Sequence, residues 1–375
     1  MGPLTGLRVI ELEGLGPAPF CGMMLADMGA EVIAICRQSS DTNRSTQISE
    51  RGKLSIALNL KSPEGVKVLL KLCESADALI EGFRPGVAER LGIGPEQCMS
   101  TNPKLVYGRM TGWGQTGPLA KSAGHDINYI SLSGALHSIG RSGERPVPPL
   151  NLVGDFGGGG MFLAFGVMCA IFEASQSGKG QVIDASMVEG SATLMHMMYS
   201  WMAAGKWQDQ RGVNMLDGAA HYYDTYETQD NKYVSIGSIE PQFYELLIEL
   251  AELDRDTFAA QNDSAQWPQL KKKLAAVIKT KTRDQWCAIM EGSDVCFAPV
   301  LSMQEAPLHA HNEERSSYIK IDGTLQPAPA PRFSRTEAKV RYSPHSAGSD
   351  TQTVLQSLGY DNKMIQNLKK QGVLT

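Results

Sequence analysis

Short β-rich runs alternate with helical segments along the first half of the chain, and this alternation restricts the fold more than any other feature of the sequence. Residues 7–12 and 31–35 are predicted strands, and residues 20–28 between them have helical character. Further strands are predicted at residues 78–83 and 105–110. Because parallel strands need long crossovers, this order of elements predicts a mostly parallel sheet with helices on both faces.

Helices and a strand continue to about residue 205, and the pattern of the sequence changes after about residue 215. The sequence predicts a buried helix at residues 161–175, a strand at 181–185 and a long helix at 187–205. A hairpin follows at residues 222–227 and 232–237, and then come helices at 243–252, 267–278 and 283–290. The chain after about residue 215 is therefore predicted to be a smaller α+β region.

These patterns divide the chain into four parts. Residues 1–186 are predicted to form a large Rossmann-like domain, and residues 187–220 a linking helical region. Residues 221–315 form the small α+β domain. Residues 316–375 are a return linker, rich in proline and alanine at 323–334, and a C-terminal helix that packs on the large domain.

The composition is that of a globular protein and excludes several classes. Apolar residues make up 42% and charged residues 20% of the 375 positions, and the net charge of −5 gives no general attraction to nucleic acid. Seven scattered cysteines without CxxC spacing indicate free thiols in a reducing compartment and argue against a zinc site. The longest apolar run, residues 161–172, is too short to span a bilayer. We therefore expect a cytoplasmic protein without a membrane partner.

Basic residues follow several of the predicted strands. Where a nicotinamide dinucleotide site has an acidic residue after its second strand, this chain has Arg37, which can bind a phosphate or can simply be a solvated surface residue. Lys61, Arg84 and Arg90 also fall at loop-like positions. Ligands of open parallel sheets bind beyond the carboxyl ends of strands. These cations therefore suit a ligand with several separated phosphates, such as coenzyme A or another nucleotide.

Two glycine-flanked segments carry candidate catalytic residues. His125 lies in residues 124–129 (GHDINY), and Asp155 lies in residues 151–160 (NLVGDFGGGG). A histidine and a carboxylate can move a proton off one face of a carbon atom and onto the other. Each also has a simpler explanation, because a lone histidine is often a packing residue and an aspartate can cap a helix. Glu240, which precedes a proline, can likewise be only a helix start.

Four motifs occur in a characteristic order: residues 110–118 (MTGWGQTGP), 124–129, 151–159 and 239–244 (IEPQFY). With a further RFS motif that ends at Ser334, they resemble the acyl-CoA racemases of the family III CoA-transferase (CaiB/BaiF) superfamily. The resemblance implies an α/β fold, with a Rossmann-like large domain and a smaller α+β domain in each chain. It also implies an interlocked homodimer, in which each active site is shared between the large domain of one subunit and the small domain of the other.

The resemblance implies a role for each matching residue. His125 and Asp155 match the acid/base pair, and Glu240 matches a carboxylate that approaches from the small domain of the second subunit. The CoA-binding positions are matched by Arg37, Leu58, Lys61, Arg84, Arg90, Gly124, Asp126, Asn128 and Tyr129. An apolar surface for the acyl chain is matched by Met187, Met197, Met198 and Met215, although methionines at helical spacing also occur in cores.

The implied reaction inverts C2 of 2-methylacyl-CoA thioesters through an enolate, and it needs no cofactor because CoA is part of the substrate. Asp155 takes the proton from one epimer while His125, as imidazolium, delivers a proton to the opposite face. The glycine run after Asp155 is expected to open a helix whose N–H groups hold the thioester oxygen.

Two alternatives stay open at this point. One is a family III CoA transferase in which Asp155 is the nucleophile. The other is a non-catalytic protein that binds acyl-CoA. His125 favours the racemase, since transferases of the superfamily usually lack a histidine at that position.

Overall fold

The computed structural model describes residues 2–37 and 44–374, and the chain forms two compact units. Unit 1 comprises Met1–Ser133, Pro149–Met195 and Tyr318–Thr375, and unit 2 comprises Gly134–Pro148 and His196–Ser317. Residues 134–148 fall inside the predicted large domain, yet they belong to unit 2. The predicted linking region at 187–220 is divided between the two units, because the boundary follows Met195.

The helices and strands are numbered in chain order. The strands are β1 (Arg8–Leu12), β2 (Glu31–Cys36), β3 (Lys53–Ala57), β4 (Ala78–Glu81), β5 (Val106–Thr111), β6 (Val182–Ser186), β7 (Tyr223–Glu227), β8 (Tyr233–Gly237), β9 (Phe297–Val300), β10 (Tyr318–Ile321) and β11 (Thr324–Pro327). The helices are α1 (Pro17–Asp27), α2 (Pro63–Cys73), α3 (Val87–Arg90), α4 (Pro95–Thr101), α5 (Asp126–Leu132), α6 (Ala135–Ser138), α7 (Phe162–Ser177), α8 (Met187–Leu194), α9 (His196–Ala203), α10 (Pro241–Leu250), α11 (Arg255–Phe258), α12 (Trp267–Ile278), α13 (Arg283–Met290), α14 (Ala310–Glu314), α15 (Thr351–Ser357) and α16 (Asn362–Lys370).

A six-stranded parallel sheet forms the centre of unit 1, in the order β3-β2-β1-β4-β5-β6. Ile10 of β1 lies beside Ile33 of β2 on one side and Leu79 of β4 on the other, and all three are buried. The predicted mixed α/β fold with a parallel sheet is confirmed. Because the strand order reverses between β1 and β4, a crevice is expected there at the carboxyl ends of the strands.

Strand β3 was not predicted from the sequence, and its composition explains why. Its first residue, Lys53, is fully buried, and its Nζ lies 2.7 Å from Glu11 Oε1 and 3.0 Å from the carbonyl oxygen of Pro19 in α1. A lysine is rarely buried without a charged partner. The sequence of β3 therefore looks like exposed loop, although the buried ion pair with Glu11 makes the strand part of the core.

The C-terminal segment completes the core of unit 1. Leu355 of α15 and Ile365 of α16 belong to the same buried cluster as Ile10 of the sheet. Beyond α16, Leu374 forms a bridge with Leu58, and the N–H of Asn59 donates to the carbonyl oxygen of Val373 at 2.9 Å. The tail thus holds the loop that follows β3.

A continuous helical run, Leu152–Ser177, consists of a π-helical segment (Leu152–Met161) followed by α7. By length and composition it could cross a membrane, because the helix extends well beyond the apolar run at residues 161–172 that the sequence analysis considered. Its inner face, however, packs into unit 1: Leu163 and Val167 belong to a buried cluster with sheet residues. A Cβ at Gly158 would lie 2.6 Å from the backbone nitrogen of Ser191, so glycine lets this run approach α8 closely.

Unit 2 contains the antiparallel sheet β7-β8-β9, with α10, α12 and α13 contributing to its aromatic core. The predicted hairpin and the helices at 267–278 and 283–290 are confirmed. The predicted long helix at 187–205 is instead two helices, α8 and α9, interrupted at Met195. The predicted linker at 323–334 begins with β11, which pairs with β10 in unit 1.

A buried histidine, His221, makes the stability of unit 2 depend on pH. His221 is fully buried, its Nε2 lies 2.7 Å from Tyr244 Oη, and that hydroxyl donates to the carbonyl oxygen of Phe258. In the described part of the chain Nδ1 has no hydrogen-bond partner. Burial, with a smaller contribution from the charge of Lys271, lowers the pKa of His221 from 6.5 to about 4.

We predict that unit 2 loses stability below the unfolded pKa of histidine, because the unfolded chain then takes up a proton that the folded chain does not. Relative to pH 7, the free energy of unfolding should be about 2 kcal/mol lower at pH 5 from this group alone. Urea unfolding followed by tryptophan fluorescence measures it, with His221→Gln as the non-titrating control. An equal pH dependence in both proteins would contradict the assignment.

Candidate active site

Two cavities in unit 1 are lined by residues that follow the strands of the parallel sheet. The first has a volume of about 340 Å³ and the second about 320 Å³. Phe83, which follows β4, lines both. This is the edge where the strand order reverses, and it is the usual place for a ligand in an open parallel sheet.

The first cavity contains three of the predicted CoA-binding residues: Arg37 after β2, and Leu58 and Lys61 after β3. Arg37 and Lys61 are exposed, whereas Leu58 is buried. The backbone N–H of Arg37 donates to Glu13 Oε2 at 3.1 Å, and that of Lys61 donates to Asn59 Oδ1 at 3.1 Å. The lining of the first cavity thus combines two cationic residues with apolar residues such as Leu58.

The second cavity brings together His125 and Asp155, which are thirty residues apart in the sequence. Asp155 is half-buried in the π-helical segment, and Asn151 Nδ2 donates to its Oδ2 at 3.1 Å. The pKa of Asp155 is raised, mainly by burial and further by the charge of Asp126, while the Asn151 hydrogen bond and His125 oppose the rise. A carboxyl group with a raised pKa is better matched to proton exchange near neutral pH.

His125 stands directly before α5 as its N-cap residue and is exposed. Its backbone N–H donates to Asn128 Oδ1 at 3.0 Å. Tyr129 is buried, its hydroxyl donates to the carbonyl oxygen of Gly124, and its ring lies edge-on to Trp113 at 4.8 Å. Asn128 and Tyr129, both predicted to bind CoA, therefore hold the peptide unit that joins Gly124 to His125.

The glycine run after Asp155 does not form the predicted opening of a helix. Asp155 itself lies within the helical run, and its backbone N–H donates to Asp126 Oδ2 at 2.7 Å. Gly158, Gly159 and Gly160 are buried. Their role is close packing, so they are not placed to hold a thioester oxygen as the sequence suggested.

The remaining predicted residues lie in different places. Arg84 and Met187 line the second cavity, whereas Arg90, exposed at the end of α3, lines neither of the two. Glu240 is the exposed N-cap residue of α10 in unit 2. The other three predicted acyl-surface residues also belong to unit 2: Met197 and Met198 are half-buried in α9, and Met215 packs against the core of that unit.

Sequence reasoning gave no role to two residues that the structure places at the site. Asn151 lies four residues before Asp155, a separation that brings side chains together on a helix, and this spacing could have revealed it. Phe83 is the last residue of the strand predicted at 78–83 and gave no comparable signal, whereas the observed strand β4 ends at Glu81. Its position between the cavities depends on the strand order of the sheet.

The comparisons with known proteins identify the family. Residues 4–351 match the profile of CoA-transferase family III. The chain belongs to this family. The superfamily resemblance of its motifs is thereby confirmed.

Two relatives of the chain are named alpha-methylacyl-CoA racemase. The protein of Mus musculus is 49% identical over 97% of this chain and 96% of its own length. That of Homo sapiens is 44% identical over 99% of this chain and 97% of its own length. The succinyl-CoA:glutarate CoA-transferase of Homo sapiens is 28% identical over 99% of this chain and 90% of its own length.

The fold of a solved family protein is also similar. The CAIB/BAIF family protein from Brucella suis superposes with a TM-score of 0.82, covers 95% of this chain and 99% of its own, and is 23% identical. At that identity the likeness concerns the fold alone.

We predict that Tyr129→Phe loosens the segment around His125. Loss of the hydroxyl bond to Gly124 should cost about 1 kcal/mol locally and speed amide exchange of residues 120–128 about fivefold. Hydrogen–deuterium exchange mass spectrometry measures this. Tyr107→Phe is the matched control, because its hydroxyl donates to the carbonyl oxygen of Ile93 at 2.9 Å elsewhere in unit 1. Unchanged exchange in Tyr129→Phe would show that the bond does not hold the segment.

Proposed function

We propose that this protein is an acyl-CoA racemase that inverts C2 of 2-methylacyl-CoA thioesters. The observation that carries the proposal is the pairing of His125 with Asp155 in one cavity at the carboxyl edge of the sheet. The identity to alpha-methylacyl-CoA racemases over nearly the full chain supports it.

The reaction follows from the chemistry of the pair. Ionised Asp155 takes the C2 proton of one epimer, and the electrons of the broken C–H bond form an enolate on the thioester. His125, as imidazolium, then gives its proton to the opposite face of C2, which restores the thioester with inverted configuration. The pair is left as protonated Asp155 and neutral His125, ready for the other epimer. The positive end of α5, next to His125, favours the enolate oxygen.

The linings of the two cavities suit different parts of one CoA ester. Arg37 and Lys61 of the first cavity suit the phosphate groups, and the second cavity receives the thioester. Phe83, which lines both, lies beside the path of the connecting arm. The substrate brings its own CoA, so the reaction as written uses no further cofactor.

A CoA transferase is the alternative function, and Asp155 is the observation that favours it. A half-buried carboxylate lining the cavity is a suitable nucleophile for an acyl group, and CoA transferases occur among the relatives. The transferase reading gives no role to His125, whereas the racemase needs an acid on the second face of C2. We therefore favour the racemase.

We also propose that the protein acts as a homodimer, with Glu240 of the second subunit and the methionines of unit 2 contributing to the site. An exposed apolar face on the helical run supports an interface with another chain. Met161, Phe165 and Phe172 are 44%, 71% and 68% exposed on the side opposite to buried Leu163 and Val167. An apolar face of this kind usually marks a contact surface.

The racemase proposal is tested by incubating one epimer of a 2-methylacyl-CoA in D₂O. We expect deuterium at C2 and a final mixture of both epimers, because each turnover exchanges the proton with solvent. Mass spectrometry and chiral chromatography measure the two outcomes. Transfer of CoA to an added carboxylate without deuterium at C2 would replace the racemase with the transferase.

The placement of CoA is tested with Lys61→Ala. Loss of one exposed cation beside a phosphate should weaken CoA binding about fivefold, and the loss should shrink at high salt. Isothermal titration calorimetry with CoA measures it. The control is Lys67→Ala, since Lys67 pairs with Glu64 on α2 and lies outside both cavities. Equal effects of the two variants would contradict the placement.

The dimer is tested by sedimentation of Phe165→Glu. The wild-type protein should sediment at twice the chain mass of 40.7 kDa, and a charge on the apolar face should shift it toward the monomer. Phe165→Leu keeps the face apolar and should remain dimeric. A wild-type monomer at micromolar concentration would overturn the proposal.

A further inference from the structure

A second carboxylate, Asp126, lies against the backbone of Asp155. Asp126 begins α5 and is 6% exposed, and its Oδ2 accepts the N–H of Asp155 at 2.7 Å. Its Oδ1 is buried and has no hydrogen-bond partner within residues 2–37 and 44–374. The contact joins α5, which follows His125, to the helical segment that carries Asp155.

The local backbone is shaped around this carboxylate. A Cβ at position 154 would lie 2.5 Å from Asp126 Oδ2, so a larger residue there would displace the carboxylate from its present position. A neutral amide would be a sufficient acceptor for the backbone N–H of Asp155. Asn128 and Asn151, at nearby positions, make their hydrogen bonds through amide groups. A buried carboxylate with one unpaired oxygen is costly. The hydrogen bond to Asp155 alone therefore does not explain why position 126 carries a carboxylate instead of an amide.

We propose that Asp126 is a positioning residue of the proton-transfer site: its carboxylate fixes the backbone of Asp155, and its charge sets the pH range in which Asp155 and His125 exchange protons. This inference rests on the proposed racemase function and deepens it. The resemblance assigned Asp126 to CoA binding, but its buried side chain suits a role directed at Asp155.

In the described part of this chain, the charged and titratable groups that line the cavity of Asp155 or lie against its backbone come from three places. The first turn of α5 and its N-cap provide Asp126, His125 and Tyr129, the helical segment provides Asp155 with its partner Asn151, and Arg84 follows β4. The charge of Asp126 makes it harder for Asp155 to lose its proton, and His125 acts in the opposite sense. Asp126 thereby brings the proton affinity of the carboxyl group closer to that of an imidazole.

The test is the pH profile of kcat/KM for racemisation in Asp126→Asn. Asparagine keeps an acceptor for the N–H of Asp155 but removes the charge, so ionised Asp155 becomes more stable. The loss of activity on the acid side should therefore move to lower pH, by about one unit. Asn151→Ala, which removes a hydrogen bond to ionised Asp155, should move the same limb to higher pH.

Each outcome decides the proposal. An Asp126→Asn profile that overlays the wild type would overturn it, because a purely structural acceptor predicts no shift. Asp126→Ser supplies a second uncharged acceptor and should show the same direction of shift. If neither variant folds, as judged by circular dichroism, the carboxylate is structural and the proposal fails. If the wild-type protein places no deuterium at C2, the racemase function fails before the variants are compared.

Discussion

The pairing of β1 with both β2 and β4 is the constraint on which the rest of unit 1 depends. It reverses the strand order at the middle of a parallel sheet, so that the loops after neighbouring strands diverge and leave room for a ligand. Both cavities are lined by those loops, and Phe83 lines both of them. The buried ion pair between Glu11 of β1 and Lys53 of β3 joins the sheet to α1, because Lys53 also donates a hydrogen bond to a carbonyl oxygen of α1.

At the carboxyl edge of the sheet, the candidate site brings two carboxylates and a histidine close together. Asp155 is half-buried beside a second carboxylate and a histidine, and its pKa is raised from the ordinary value by burial above all. A carboxyl group in such surroundings exchanges a proton with an imidazole more readily than a solvated one. The same surroundings explain why the segment 124–129 is held by its own hydrogen bonds: small movements of His125 would change the geometry of proton transfer.

The sequence predicts the elements whose pattern is regular and misses those in which a buried charge disguises the pattern. Helices α12 and α13 and the hairpin of β7 and β8 follow from their apolar periodicity. Strand β3 was missed because Lys53 looks like a surface residue until Glu11 is placed beside it. The role of Asp126 depends on two segments meeting in space, and no local pattern encodes that contact. The contact of Asn151 with Asp155 lies within one segment, where the spacing of four residues could have revealed it.

The most direct test of the two-base account is epimer-specific exchange by His125→Ala and Asp155→Asn in D₂O. A variant that retains one base can still remove and return a proton on one face of C2. Each variant should therefore exchange the C2 hydrogen of one epimer only, without inversion, and the two variants should act on opposite epimers. Exchange of the same epimer by both variants, or racemisation that survives in either, would contradict the account.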